Sequence, residues 1–108
     1  MAGKLVEQPP QYVRRLNPAV ADGFHELREA VAQGPLDKQT RELIMVASFA
    51  TVGYEMPFKN YTTHLKDMKV SKEAVQQAVF LTLGSTTTLN QVALALSWID
   101  DVYDPATV

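Results

Sequence analysis

The chain has 108 residues, of which 46% are hydrophobic and 20% charged, a balance typical of one globular domain and not of a disordered segment. The net charge of −2 and the absence of a basic block exclude the electrostatic surface of a typical nucleic-acid-binding protein. Because the chain has no cysteine, it can form no disulfide, no thiolate metal site and no catalytic thiol.

The apolar runs are too short to cross a bilayer, and the N-terminal residues contain neither an apolar run nor a cleavage pattern. We therefore expect a cytoplasmic protein without a signal peptide.

The N-terminal part of the chain predicts an arm followed by a first helix. Residues 1–16 have mixed polarity and predict an arm with one short helical turn. Asn17 and Pro18 are typical of an N-cap and the first position of a helix. Apolar residues then recur at spacings of three and four, which predicts a stripe on a helix that ends near Gln33. The stripe consists of Val20, Phe24, Leu27 and Val31.

The middle of the chain predicts two further helices. Asp37 suits the N-cap of a helix that is apolar on nearly all sides and ends at Gly53, so we expect it to be the central buried helix. Pro57 suits the first turn of the next helix, which runs to about Met68.

The C-terminal part predicts the last helices. Ser71 suits the N-cap of one helix, and a final helix spans about Thr87 to Ile99. The threonines before it permit a strand, but the spacing of Leu89 and the apolar residues after it favours a helix. The fold class is therefore all-α, with about five to six helices.

One stretch of sequence is specific enough to indicate a family. Residues 34–44, with the sequence GPLDKQTRELI, are followed by the apolar helix, a glycine, a helix that carries His64 and the turn KVSKEA at 69–74. This order resembles the carboxymuconolactone decarboxylase or AhpD-like family over residues 17–99. Residues 17–108 would then form the family domain and residues 1–16 its N-terminal arm.

The resemblance implies an AhpD-like helical fold that assembles into trimers or hexamers. It also implies one of two activities: decarboxylation of 4-carboxymuconolactone, or hydroperoxide reduction through a Cys-x-x-Cys-x-x-x-His motif preceded by a glutamate. The two cysteine positions are occupied here by Pro57 and Asn60, so the chain cannot act as a thiol peroxidase or peroxiredoxin by that route. The interval from Glu42 to His64 is also longer than is usual in the family, and the extra residues fall between Gly53 and Pro57.

The resemblance makes Glu42 and His64 the candidate catalytic residues. A histidine changes charge near neutral pH and suits proton transfer, and a partly buried glutamate can tune it or transfer a proton itself. Asn60 lies one turn before His64 on the same helix face, so a polar cluster of Asn60, Tyr61 and Tyr54 could bind the substrate.

Structural interpretations of the same residues stay open. Glu42 lies early in its helix, where a carboxylate interacts favourably with the helix dipole. His64 considered alone would more often be a hydrogen-bonded structural residue. His25 is flanked by charged residues and is expected on a solvated face. The hydroxyl run Ser85–Thr88 suits helix capping better than anion binding.

Two hypotheses follow. The first is a lyase that acts without a cofactor on a small carboxylated lactone or related acid, by proton transfer in a pocket at a subunit interface. The second is a non-catalytic helical oligomer, a binding or scaffold subunit that kept the fold. The two histidines have no metal-ligand spacing, so no metal site is predicted.

Overall fold

A computed structural model describes residues 8–105 of the chain, and within that range it contains six α-helices and no strand. The predicted all-α fold class is therefore confirmed. The helices are α1 (Pro9–Leu16), α2 (Pro18–Val31), α3 (Lys38–Val52), α4 (Glu55–Asp67), α5 (Lys72–Phe80) and α6 (Leu89–Tyr103). The predicted arm lies partly outside the described residues, which begin at Gln8.

By its internal contacts the chain divides into an N-terminal unit, Met1–Pro35, and a C-terminal unit, Leu36–Val108. The division into an arm and a family domain after residue 16 stays a prediction.

The N-terminal unit consists of α1 and α2. The arm contains an eight-residue helix, longer than the short turn that the sequence predicts. Asn17 is the N-cap of α2, as predicted, and its side-chain oxygen accepts a hydrogen bond from the backbone N–H of Val20 at 3.2 Å. No residue of α1 or α2 is buried, so the predicted stripe of α2 exists as a pattern but lies at the surface.

The hydrophobic core lies in the C-terminal unit, where α3, α4, α5 and α6 pack together. Its most buried large side chains are Phe58, Leu65, Ile99, Val46, Val75, Val79 and Val92. The rings of Phe58 and Trp98 meet edge to face, with centroids 5.4 Å apart, and join α4 to α6. Trp98 is thus a core residue, whereas Leu94 on the same helix is 53% exposed.

Helix α3, expected to be the central buried helix, contacts α4, α5 and α6, but it is fully buried along one face only. Only Glu42, Val46 and Ala50 are buried, and Ile44 on another side of the helix is 48% exposed. Apolar composition made every side look suited to burial, but the neighbouring helices cover only one face.

Helix α4 begins at Glu55 with Tyr54 at the N-cap position, so Pro57 lies in its first turn, as predicted. Helix α6 differs from its predicted bounds. Helix α6 extends to Tyr103, and its first turn is closed by a capping box between Thr88 and Gln91. No helix among the described residues combines the length and the apolar character needed to span a membrane.

Candidate functional site

Glu42 is held in place by the first turn of α3. The Asp37 carboxylate caps this helix by accepting a hydrogen bond from the backbone N–H of Thr40 at 2.8 Å, and that bond lowers the pKa of Asp37. From this start Glu42, Val46 and Ala50 follow at intervals of four residues, so all three lie on the buried face of the helix. Glu42 is 8% exposed, and it is the one carboxylate in an otherwise apolar row.

His64 lies on α4, which packs directly against α3. Phe58, Thr62 and Leu65 anchor α4 in the core, and the Thr62 hydroxyl donates a hydrogen bond to the carbonyl oxygen of Phe58 at 2.8 Å. Because the Thr62 hydroxyl is satisfied within its own helix, it does not compete for the polar groups nearby. His64 follows two residues later, at the edge of the buried face.

The two candidate residues are in direct contact. Nδ1 of His64 lies 2.7 Å from Oε1 of Glu42, while the Glu42 side chain is 11% exposed and the His64 side chain 52%. A buried carboxylate is an acceptor, so it holds the proton of the neutral imidazole on Nδ1 and leaves Nε2 as the free base. When the imidazole is protonated, the same contact becomes an ion pair, and Nε2–H becomes an acid on the exposed side.

An aromatic row extends the site along α3 and α4. The ring of Tyr61 meets the imidazole of His64 edge to face, with centroids 5.4 Å apart and an interplanar angle of 64°. Phe49 lies 5.6 Å from Tyr61 and 6.4 Å from Tyr54, again between ring centroids. Two of the predicted substrate-binding residues, Tyr61 and Tyr54, are therefore linked through Phe49.

Phe49 packs against the core and was not among the predicted site residues. Its position seven residues after Glu42 was the available signal, since residues two turns apart share a helix face. The third predicted binding residue, Asn60, is exposed and lies one turn before His64 on α4.

The longer interval between Glu42 and His64 does not separate the pair. Gly53 adopts a left-handed conformation with φ of 76° and ends α3, and the N–H groups of Gly53 and Tyr54 both donate to the carbonyl oxygen of Phe49. Only Gly53 and Tyr54 lie between the two helices, and residues 55–57 already form the first turn of α4.

The hydroxyl run before α6 makes its hydrogen bonds within the protein. Thr88 caps α6, the hydroxyls of Thr82 and Thr87 are 2.9 Å apart, and Ser85 donates to the carbonyl oxygen of Thr82 at 3.0 Å. These bonds fit the capping interpretation and give no support to an anion site.

Other features of the described residues lie apart from the pair. A groove of ≈ 340 Å³ between α3 and α5 is lined by residues that include Leu43 and Gln77 but neither Glu42 nor His64. The second histidine, His25, lies on the surface with its side chain 70% exposed, 3.4 Å from Glu29. Residues 8–105 hold no group of three histidine, aspartate or glutamate side chains suited to a metal ion.

Comparison with known proteins gives one match. The model of a family described as the carboxymuconolactone decarboxylase family matches residues 18–101, which include α2 to α5 and most of α6. No curated protein and no solved structure matches the chain.

Proposed function

The chain belongs to the carboxymuconolactone decarboxylase family, and on this premise we propose that it catalyses proton transfer on a small carboxylated lactone or related organic acid, without a cofactor. The observation that carries the proposal is the 2.7 Å contact between a buried carboxylate and a half-exposed imidazole. Family membership by itself leaves open whether the site is used.

The geometry supports His64 as the residue that moves the proton. Glu42 fixes the imidazole through Nδ1, so the exposed Nε2 is the atom available to a substrate. Decarboxylation breaks the bond between the substrate carbon and its carboxylate, and the electron pair stays on that carbon as CO₂ leaves. The imidazolium then donates the Nε2 proton to the carbon. A proton from solvent restores the imidazolium for the next turnover.

Glu42 is a positioning residue in this proposal, since it acts through His64. Its negative charge stabilises the imidazolium before the proton is delivered. Asn60 and Tyr61 border His64 along α4, and we assign them, with Tyr54, to binding the polar groups of the substrate.

The test is turnover of 4-carboxymuconolactone by the purified chain, measured as CO₂ release. We expect His64→Ala to lower kcat/KM by about 100-fold or more, the usual contribution of a general acid. The matched control is His25→Ala, which removes the other, surface histidine and should leave turnover unchanged. Wild-type turnover by His64→Ala would exclude His64 as the catalyst.

A second candidate function is a non-catalytic binding or scaffold subunit. It is favoured by the openness of the site, because the His64 side chain is half exposed and the groove between α3 and α5 is lined by other residues. A folded wild-type chain that releases no CO₂ from the lactone would support this function over the first.

We also propose that the functional form is a homo-oligomer, as the family resemblance implies. Several large apolar side chains of the C-terminal unit are exposed, among them Leu81 at 72% and Leu89 at 70%. Exposed apolar surface of this extent is typical of protein interfaces.

A further inference from the structure

The His64 imidazole is the first ring of a series that continues with Tyr61, Phe49 and Tyr54. Successive ring centroids in this order lie 5.4, 5.6 and 6.4 Å apart. We call Tyr61, Phe49 and Tyr54 the aromatic row. All of these residues belong to the C-terminal unit, so the distances among them describe that unit by itself. An aromatic surface thus begins directly beside the proposed proton donor.

The rings of the aromatic row lie side by side and tilt little against one another. The ring planes of Tyr61 and Phe49 differ by 34°, and those of Phe49 and Tyr54 by 37°. Rings in direct face-to-face contact would have centroids about 3.5–4 Å apart, so the observed distances mean that neighbouring rings are displaced sideways. Each contact within the row therefore leaves part of both ring faces uncovered by the other ring. Such an arrangement suits the offset stacking of another flat ring.

Tyr54 contributes neither to the capping of α4 nor to the core formed by the described residues. It occupies the N-cap position of α4, but its side chain makes no capping hydrogen bond. Phe49 and Tyr61 pack against the core, whereas Tyr54 is not among the residues that do so. Its ring contact with Phe49 extends the aromatic row beyond the core. An aromatic side chain in that position is suited to contact with a ligand.

The reaction proposed for His64 requires a place for an electron pair. When CO₂ leaves, the electron pair of the broken bond stays on the substrate carbon. An electron-accepting cofactor takes up such a pair in many enzymes. In a cofactor-free reaction the substrate's own π system must take it up, which requires a flat conjugated group attached to the reacting carbon. That group would lie beside His64, where the aromatic row begins.

The charges near His64 favour an acid that extends toward the start of α4. Asp67 lies one turn after His64 and would repel an anion on that side. On the other side Asn60 lies one turn before His64 and carries a neutral amide that can donate a hydrogen bond. Glu55, in the first turn of α4, is paired with Lys59 at 2.7 Å. The aromatic row extends in this same direction along α4.

We propose, on the basis of the proton transfer proposed above, that the site binds an arylacetic acid, in which an aromatic ring is attached directly to the carboxylated carbon. The carboxylated carbon lies at Nε2 of His64, and the aromatic ring packs against the aromatic row. Tyr61 and Tyr54 thus bind the substrate through their rings in addition to their hydroxyl groups. An acid with two fused rings would extend from Tyr61 toward Tyr54.

The reaction step needs no other reactant. The bond between the carboxylated carbon and the carboxylate breaks, CO₂ leaves, and the electron pair is delocalised into the attached ring. The Nε2–H of the His64 imidazolium then donates its proton to the same carbon. An arylacetate anion and an imidazolium thereby become CO₂, a methylarene and a neutral imidazole. An electron-withdrawing group on the ring stabilises the electron pair and should speed the step.

The first experiment compares two acids of equal charge and nearly equal size, phenylacetate with a flat ring and cyclohexylacetate with a puckered one. Their dissociation constants are measured from the shifts of the His64 imidazole signals in NMR titrations, with His25 as the internal reference. Cyclohexane is at least as apolar as benzene, so burial of apolar surface alone predicts no preference for phenylacetate. Ring stacking predicts that phenylacetate binds about 2- to 12-fold tighter. Equal binding, tighter binding of cyclohexylacetate or no binding of either acid would overturn the proposal.

Substitutions at Tyr61 test whether its ring distinguishes the two acids. Tyr61→Leu keeps an apolar side chain against the core but removes the ring, so it should abolish the preference for phenylacetate. Tyr61→Phe is the matched control, because it keeps the ring and should keep the preference. A preference that persists in folded Tyr61→Leu would contradict the proposed contact and overturn the proposal.

Tyr54 provides a test that does not depend on the fold of the Tyr61 variants, since its side chain neither caps α4 nor packs in the core. The two-ring acid 2-naphthylacetate should bind about 2- to 12-fold tighter than phenylacetate. Tyr54→Leu should reduce that gain and leave the binding of phenylacetate unchanged. Phe80→Leu, at an exposed aromatic residue of α5, is the control and should alter neither acid's binding. An unchanged gain in Tyr54→Leu would overturn the placement of the ligand along the aromatic row.

The last experiment measures CO₂ release from 4-nitrophenylacetate, whose nitro group accepts the electron pair. We expect the wild-type chain to form CO₂ and 4-nitrotoluene above the buffer rate, and His64→Ala to do so about 100-fold or more slowly. If the wild-type chain turns over 4-carboxymuconolactone but neither prefers phenylacetate nor turns over 4-nitrophenylacetate, the arylacetic acid is wrong and the proposed function stands. If it prefers phenylacetate but releases CO₂ from neither acid, the proposed function fails and the reaction step fails with it.

Discussion

The Glu42 side chain illustrates how a single buried residue determines what its neighbour can do. A carboxylate that is 11% exposed needs a donor, because leaving a buried charged group without one costs several kcal/mol. His64 is the donor at 2.7 Å. The same contact that stabilises Glu42 also fixes the tautomer of His64, so structural and functional interpretations of the pair are not exclusive.

We predict that Glu42→Gln leaves the fold intact but no longer restricts neutral His64 to the Nδ1–H tautomer. The amide has nearly the same shape but can donate as well as accept, so Nδ1 no longer has to carry the proton. In ¹⁵N spectra of the imidazole groups, wild-type His64 should be the Nδ1–H form when neutral, and the variant should be a mixture. The His25 signals serve as the internal control and should not move. An unchanged His64 spectrum would mean that Glu42 does not control the ring.

Lys69 adopts a left-handed backbone conformation that is unfavourable for a residue with a side chain. It has φ of 66° at the end of α4, where its N–H donates to the carbonyl oxygen of Lys66 and the N–H of Val70 to that of Leu65. A left-handed conformation costs a side-chain-bearing residue about 1–2 kcal/mol, and glycine is the usual residue at this position.

Lys69→Gly should therefore raise the free energy of unfolding by about 1 kcal/mol, measured by urea denaturation. Asp67→Gly, in the last helical position of α4, is the matched control and should lower it by about 0.5–1 kcal/mol. Equal destabilisation by both substitutions would show that Lys69 has a favourable contact that outweighs its conformation.

At the scale of elements, the C-terminal end of α6 is acidic although a helix dipole favours cations there. Lysines from α4 and α5 compensate. Lys72 contacts Asp100 at 2.7 Å and also Asp104, and Lys59 contacts Asp101 at 3.0 Å. These ion pairs attach the end of α6 to the two helices that it crosses.

We predict that Lys72→Met lowers the Tm by a few degrees at low ionic strength and by less in ~1 M salt, which screens exposed charges. The hydrogen bond to Asp100, and to a smaller extent that to Asp104, raises the pKa of Lys72 above its ordinary value of 10.5. A raised pKa means that the stabilisation is complete below that ordinary value and is lost as the pH rises further. The difference in Tm between wild type and variant should thus persist at neutral pH and shrink in strong alkali.

Lys38→Met is the control for this series, because Lys38 lies in the first turn of α3 and in none of the described ion pairs. Lys38→Met removes the same charge without breaking an ion pair, and because a cation at the start of a helix opposes the helix dipole, this substitution should not lower the Tm at low ionic strength. A salt-independent loss of Tm in Lys72→Met would assign the effect to packing of the lysine side chain instead.

The elements also show which features a sequence can predict. Asn17, Asp37 and Ser71 were predicted as N-caps, and each side chain accepts a hydrogen bond from the backbone three residues later. Capping is local, so the sequence contains the information. Burial is not local: Leu89 and Trp98 are both large apolar residues of α6, yet Leu89 is 70% exposed and Trp98 is buried.

The same distinction applies to the site. Residue spacing alone could not predict the contact between Glu42 and His64, because the two residues lie on different helices. The expectation that they meet came from the family resemblance. The aromatic row was only partly predicted, since Phe49, which packs against the core, was not among the predicted site residues. What the sequence did contain was the position of Glu42 in an apolar row with Val46 and Ala50, which indicates a carboxylate directed inward.

For the whole molecule, the absence of cysteine separates the fold from the thiol chemistry known in its family. We predict that the wild-type chain does not reduce an organic hydroperoxide in the presence of dithiothreitol above the buffer rate, since no side chain can become a thiolate. Hydroperoxide turnover that copurifies with the wild-type chain and is lost in His64→Ala would contradict this.

The double variant Pro57→Cys with Asn60→Cys tests whether the scaffold still suits that chemistry. The two positions are three residues apart on α4, and Asn60 is four residues before His64, so both thiols and the imidazole lie near one face of the helix. One hydroperoxide should oxidise the two thiols to a disulfide and yield an alcohol and water, which thiol titration before and after oxidation can count. Pro57→Ser with Asn60→Ser is the matched control without sulfur. If the two thiols stay reduced after a stoichiometric dose of hydroperoxide, the start of α4 differs in geometry from the cysteine-containing relatives, and the change in this family member extends beyond the loss of two side chains.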